Sequence, residues 1–262
     1  MSFKSCNYKV GIVGSDGRMG SWMFSHLKES GLEVHGIDKA APTELGDFTE
    51  SSDVMVLAIP SSAFPEVTRV IGPRLRKESL LIDIASLKQG PVREMLDHFD
   101  GEVIGAHPMF GPSAESFRDR LVYLCPARPG LWIDKVSGFL TSLGARIHII
   151  SPDRHDRLMA TVQTLRHIML TSLGLTLRST GFDISEDLKV AGEWFQQLIT
   201  MMERQFDQPS ELYADLALNN PHSLEVLKTF SLMNEKLNIL MEKGDKKGIM
   251  ELMNMVRDFT GR

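Results

Sequence analysis

The sequence predicts an α/β fold: an N-terminal doubly wound, mostly parallel sheet, followed by an all-α domain. Three observations predict it. Short apolar runs alternate with helix-spaced segments through the first 150 residues, which puts parallel strands between two helical layers. The runs are apolar almost without interruption, as strands buried on both faces are. From about Asp153 to Arg262 the strand-like runs stop and long helical patterns replace them. The expected division is 1–150 for the sheet domain and 151–262 for the helical one.

Each element follows from its own residues. "YKVGIVG" (8–14) is a short apolar strand ending in glycine, and "MGSWMFSHLKESG" (19–31) has helical spacing at Met19, Met23 and Leu27 before Gly31 stops it. Strands follow at "LEVHGID" (32–38), "DVMVLAIP" (53–60), "SLLIDIAS" (79–86), "GEVIGAH" (101–107) and "LVYLCPA" (121–127). "EVTRVIGPRLR" and "PVREML" read as helices, the second with Pro91 in the first turn, where a missing N–H costs least. In the second half, helices are expected over 153–178, 183–206, 209–220, 222–242 and 245–259, punctuated by Pro209, Pro221 and Gly244. Met and Leu fill their apolar positions. That surface exceeds what one small domain needs, so these helices are expected to build a core and also a homodimer interface.

Composition narrows the function. With 42% hydrophobic and 24% charged residues the chain reads as globular. A net charge of −5 gives no basis for nucleic acid or an anionic membrane as partner, but leaves room for a small anionic ligand at a local basic site. Two cysteines, Cys6 and Cys125, show no metal-ligand spacing and no disulfide framework, which points to a reducing, cytoplasmic setting. The first residues run into a strand with no signal-peptide core, and runs such as "VMVLAIP" are too short to span a bilayer.

The loop "GSDGRMG" joins the first strand to the first helix. Gly14, Gly17 and Gly20 form G-x-x-G-x-x-G, one residue longer than the usual dinucleotide fingerprint. Such a loop supplies a tight turn and close backbone approach to a pyrophosphate, and amides at a helix start favour an anion. Asp38 closes the second strand, where its carboxylate can accept from an adenosine ribose and repel a 2′-phosphate. The expected cofactor is therefore NAD, held by Gly14, Ser15, Asp16, Gly17, Arg18, Met19, Gly20 and Asp38. The nicotinamide is expected past the strand ends, where segments finish at Pro60, Ser86 and His107. In "GEVIGAHPMFGPS", Pro108 is expected to stop the strand at once, leaving His107 at a tip, pointing outward.

At this point a resemblance is plain. "GSDGRMG", "DIASLKQGP", "GAHPMFGP", "RHDRLMATVQTLRH" and "ELYADL", in this order, resemble the prephenate dehydrogenase family, most of all the dehydrogenase part of bifunctional chorismate mutase–prephenate dehydrogenases. The likeness runs from Lys9 to about Thr260. It implies a Rossmann domain followed by an all-α dimerisation domain, and oxidative decarboxylation of prephenate to 4-hydroxyphenylpyruvate for tyrosine synthesis. It implies His107 as catalytic base and Ser86 beside the nicotinamide and the substrate hydroxyl. Arg204 becomes the holder of a substrate carboxylate, Gln163, Arg166 and His167 the polar face of the first long helix, and His155 a histidine at its start, read as a supporting feature. Two departures stand out. No mutase segment precedes the sheet domain, so mutase activity is expected on another chain. Gln196 stands where the bifunctional relatives carry an arginine.

The chemistry suits these residues. Hydride leaves C4 of the ring as the C4 hydroxyl loses a proton, and loss of carbon dioxide makes the ring aromatic. A neutral histidine serves as the base, a serine can orient the hydroxyl, and a planar guanidinium matches a carboxylate. The structural alternatives are that Ser86 caps the following helix, that Arg204 pairs with Glu203 or Asp207, and that Gln163, Arg166 and His167 form a satisfied structural network. Gln196 keeps arogenate or 4-amino-4-deoxyprephenate open as the substrate. A β-hydroxyacid dehydrogenase of similar layout is opposed by the lack of a lysine on the first long helix. A dinucleotide-sensing dimer without catalysis is opposed by the intact His107 motif.

Overall fold

A computed structural model describes residues 8–39, 41–128 and 130–261; Cys6 lies outside them. The chain divides into two compact units, 1–158 and 159–262.

Among the described residues the first unit has seven strands: β1 (Lys9–Val13), β2 (Glu33–Ile37), β3 (Val54–Leu57), β4 (Leu80–Asp83), β5 (Glu102–Pro108), β6 (Leu121–Arg128) and β7 (Arg146–Ile149). They form one sheet in the order β2-β1-β3-β4-β5-β6-β7. β1 to β5 are parallel, β6 is antiparallel to β5, and β7 is parallel to β6. Successive side chains point to opposite faces of a strand, and the core divides accordingly. Val10, Ile12, Val56, Ile82 and Leu124 join one cluster with Trp22 and Phe139. Met55, Leu57, Leu81 and Val103 join another with Phe64 and Met95.

The helices of this unit are α1 (Arg18–Glu29), α2 (Pro42–Glu50), α3 (Phe64–Ile71), α4 (Gln89–His98) and α5 (Trp132–Ser142), with α6 (Pro152–Met159) at its end. Two of them, α2 and α5, have no counterpart in the sequence reading. α2 carries few apolar residues, and Glu44 holds its start by accepting from the Ala41 amide at 3.0 Å. α5 buries Trp132, Val136, Phe139 and Leu140. Its first amides are capped from a distance: the Glu102 carboxylate accepts from Leu131 N at 2.6 Å and Trp132 N at 2.8 Å.

Two expectations about β5 need correction. Pro108 does not end the strand, and His107 does not point outward. The antiparallel partner β6 carries the ladder on, pairing His107 with Tyr123 and Pro108 with Val122, and Met109 N continues it to Leu121 O at 2.9 Å. His107 is 3% exposed.

The second unit contains no strand among the described residues. A π-helical turn (Ala160–Leu165) leads into α7 (Arg166–Ser179), followed by α8 (Ile184–Asp187), α9 (Glu193–Phe206), α10 (Ser210–Asn219), α11 (Ser223–Glu242) and α12 (Lys246–Phe259). The single helix expected over 183–206 is two, because Gly192 takes an extended conformation as the N-cap of α9. The helix expected over 153–178 contains the π turn, a widened turn that recurs at functional sites. α11 and α12 leave Leu224, Leu232, Met241, Met253, Met255 and Phe259 exposed. No helix among the described residues is long and apolar enough to cross a membrane.

Candidate active site

Parallel strands bring four predicted segments to one edge of the sheet. The glycine loop follows β1, Pro60 follows β3, Ser86 follows β4 and His107 lies near the carboxyl end of β5. The strand order turns between β1 and β3, the place where open α/β sheets form a ligand crevice.

The glycine loop meets the requirements for close approach. Gly14 has φ +85, and a Cβ there would lie 2.4 Å from the Ala58 carbonyl oxygen. A Cβ on Gly20 would lie 1.9 Å from the Gly14 oxygen, whereas Gly17 is less constrained, at 3.2 Å. Gly17 caps α1 in an extended conformation with no side-chain acceptor, and the first-turn amides of a helix have no acceptor within it. Asp16, Gly17 and Arg18 are exposed, while Ser15 and Met19 are half-buried. Asp38 accepts from the Asp16 amide at 3.2 Å, so this carboxylate also fixes the loop. The loop backbone and Asp38 therefore fit a dinucleotide.

His107 sits in a chain of hydrogen bonds. Its Nδ1 is 2.9 Å from His155 Nε2, and His155 Nδ1 is 2.8 Å from Asp156 Oδ1. Both partners are buried at the start of α6. The sequence reading treated His155 as a supporting feature of that helix; the geometry places it against the candidate base. Asp156 also accepts from Lys88 N and Gln89 N, each at 2.8 Å, and so caps α4. Ser86, half-buried in the β4–α4 loop, is not the N-cap of that helix; Lys88 holds the position. Burial, then the charges of His155 and Lys88, hold the His107 imidazole well below the usual histidine range, so it is neutral at pH 7.

Sequence reasoning missed Lys88 and Asp83. Both side chains are fully buried and form an ion pair, and Lys88 Nζ also donates to Ala106 O at 2.7 Å. Burial pushes the Asp83 carboxyl up, and Lys88 pulls against it. Gly105 leaves the room: a Cβ there would lie 2.9 Å from Lys88 Cδ. The one available signal was an aspartate and a lysine inside the apolar context of "LLIDIASLK". Cys125, also buried, has its thiol pushed up to about 12 by burial and is not a nucleophile at neutral pH.

In the second unit, Gln163, Arg166 and His167 lie on the π turn and the start of α7. Arg166 Nη2 is 2.7 Å from His167 Nε2. An arginine can only donate, so His167 Nε2 accepts and Nδ1 carries the hydrogen. That buried Nδ1 has no hydrogen-bond partner among the described residues. Burial, then Arg166, lowers His167 to about 4. Tyr213 packs edge-on against the ring at 4.3 Å, and Gln205 Nε2 donates to His167 O at 3.2 Å. Arg204 is exposed on α9; its neighbour Gln205 is the residue that joins this cluster. Gln196 donates to Ala191 O at 3.0 Å and Leu188 O at 3.4 Å, which secures the turn before α9.

Two family models match the chain. Residues 25–149 match the nucleotide-binding domain of prephenate dehydrogenase and residues 151–255 its dimerization domain. The chain belongs to the prephenate dehydrogenase family. The glycine loop lies upstream of the matched residues, so its reading rests on the geometry above. A probable arogenate/prephenate dehydrogenase from Methanocaldococcus jannaschii is 33% identical over 95% of this chain, which spans 60% of that relative's length. A T-protein from Enterobacter agglomerans is 30% identical, covering 96% of the chain and 67% of the relative. The prephenate dehydrogenase of A. aeolicus, solved with hydroxyphenyl propionate and NAD+, has the same fold, with a TM-score of 0.76 and 19% identity over 97% of each chain.

Proposed function

We propose that this member of the prephenate dehydrogenase family carries out NAD-dependent oxidative decarboxylation of prephenate to 4-hydroxyphenylpyruvate, a step toward tyrosine. The observation that carries this reading is a buried, neutral imidazole near the carboxyl end of β5, on the sheet edge that also holds the glycine loop. The backbone of Gly14 to Gly20, with Asp38, would hold the dinucleotide, and Pro60 and Ser86 border it. Bound NAD would supply the hydride acceptor for C4. The carboxylate of Asp38 favours NAD over NADP, because it would repel a 2′-phosphate.

His107 accepts the C4 hydroxyl proton as the C4–H pair leaves. The bond to the ring carboxylate then breaks, carbon dioxide departs, and its electron pair completes the aromatic ring. The proton returns to the phenol oxygen, so the histidine ends as it began. A positioned general base contributes roughly 10²–10⁴-fold in rate. Ser86 is assigned to the hydroxyl, and Arg204, Gln163, Arg166 and the His167 Nδ1–H, which is held neutral and in one tautomer, to the substrate's carboxylates. A charge-assisted hydrogen bond of this kind contributes about 1.5–3 kcal/mol.

The protein is read as a cytoplasmic homodimer, joined through the apolar faces of α11 and α12. Its partner molecule is a small anionic cyclohexadienyl compound, with no role for nucleic acid or membrane. Arogenate is the second reading, favoured by the name of the Methanocaldococcus jannaschii relative; 4-amino-4-deoxyprephenate is a third, and Gln196 keeps both open. Purified protein given each of the three compounds, with NAD and then NADP, decides between them at 340 nm. Prephenate with NAD is expected to give the fastest reduction. Turnover of only an amino compound would replace the substrate, and turnover of none would overturn the proposal.

A further inference from the structure

We infer that His155, held by Asp156, is a positioning residue that fixes the tautomer of His107, so that Nε2 of His107 is the atom receiving the substrate proton. The inference rests on the reading of His107 as the base.

The hydrogen bonds set the direction. Asp156 accepts from Lys88 N, Gln89 N and His155 Nδ1, all at 2.8 Å. A carboxylate that already receives two amide hydrogens is an acceptor, so His155 carries its hydrogen on Nδ1. In the neutral ring Nε2 then bears the lone pair, and His107 Nδ1, at 2.9 Å, must be the donor. The lone pair of a neutral His107 is thereby assigned to Nε2.

The packing leaves the His155 ring little freedom. His107 meets it edge-on at 5.1 Å and Tyr123 at 5.3 Å. The titratable groups around the chain are Asp83 and Lys88 from β4 and the start of α4, Tyr123 and Cys125 from β6, and His148 from β7 against Tyr123. The Lys88 cation acts on His107 in the same sense as burial, and that favours a neutral His107 awaiting the proton. Once His107 is protonated, His155 and Asp156 face its Nδ1–H with an acceptor already in place. Asp156 thus couples two tasks, capping α4 and orienting the base through His155.

The test pairs a tautomer measurement with kinetics. Nitrogen-15 NMR of histidine-labelled wild-type protein at pH 7, assigned with His107→Asn, is expected to show His107 protonated on Nδ1. A His107 protonated on Nε2 would overturn the inference whatever the kinetics show. In His155→Leu, kcat for the preferred substrate is expected to fall about 10- to 100-fold, the usual range for loss of an orienting partner. KM and NAD affinity should stay within twofold, and the acid limb of the pH profile should shift. His155→Gln, whose amide oxygen can accept from His107, should recover part of the loss. Unchanged kcat in His155→Leu, or equal losses in the Leu and Gln variants, would also overturn it. If His107→Asn retained full turnover, the base reading would fail by itself, while the tautomer signal would still report the contact with His155.

Discussion

Replacing Lys88 by methionine would leave the Asp83 carboxylate buried without its cation. Both side chains are fully buried, and Asp83 Oδ1 already lacks a hydrogen-bond partner among the described residues. Removing one partner of such a pair costs about 3–5 kcal/mol. Trp22 and Trp132 are buried in the first unit, so fluorescence follows its unfolding in urea. With a slope of roughly 2–3 kcal/mol per molar, the midpoint should drop by about 1–2.5 M. The deficit should also depend on pH in a definite sense. Burial already raises the folded Asp83 above 3.8, and loss of the ammonium raises it further. The folded state then binds a proton more tightly than the unfolded chain, so acidification from pH 7 favours folding and the gap to wild type narrows. Lys88→Met combined with Asp83→Leu should recover most of the loss. A single variant within 1 kcal/mol of wild type, or a gap that widens in acid, would refute the reasoning.

Three further outcomes follow from the geometry. Gly20→Ala puts a methyl 1.9 Å from the Gly14 carbonyl oxygen, so the loop must shift and NAD affinity by fluorescence titration should fall at least tenfold; wild-type affinity would contradict the assigned cradle. Gly105→Ala meets Val92 Cγ2 at 2.8 Å and Lys88 Cδ at 2.9 Å, and thermal unfolding should show a loss of about 1–3 kcal/mol, with no change counting against the packing described. The acid limb of kcat/KM reports the base of the free enzyme; because burial lowers His107, this limb should lie below about 6.5, the ordinary histidine value, and a limb at or above it would contradict a buried neutral base.

Much of this was legible in the sequence, for identifiable reasons. The apolar strands, the loop "GSDGRMG" and the turns beyond "LIDIAS" depend on local pattern, and the sheet duly aligns their carboxyl ends. The environment of His107 was not legible. Its burial depends on β6 returning antiparallel beside β5 and on His155, 48 residues away, packing against it. Similarly, the alternative reading of Ser86 as a helix cap rested on serine suiting that place locally, yet Asp156 caps α4 across 67 and 68 residues. The break at Gly192 was hidden because apolar spacing continues on both sides of it. Long-range pairs of this kind leave no periodicity to read.

The central claim is that His107 receives the substrate's hydroxyl proton, and His107→Asn tests it most directly. Asparagine keeps a polar amide where the near side of the imidazole ring lies but cannot serve as a base near neutral pH. With saturating prephenate and NAD, the account predicts a fall in kcat of about 10²–10⁴-fold while NAD binding is retained. Turnover equal to wild type would contradict it.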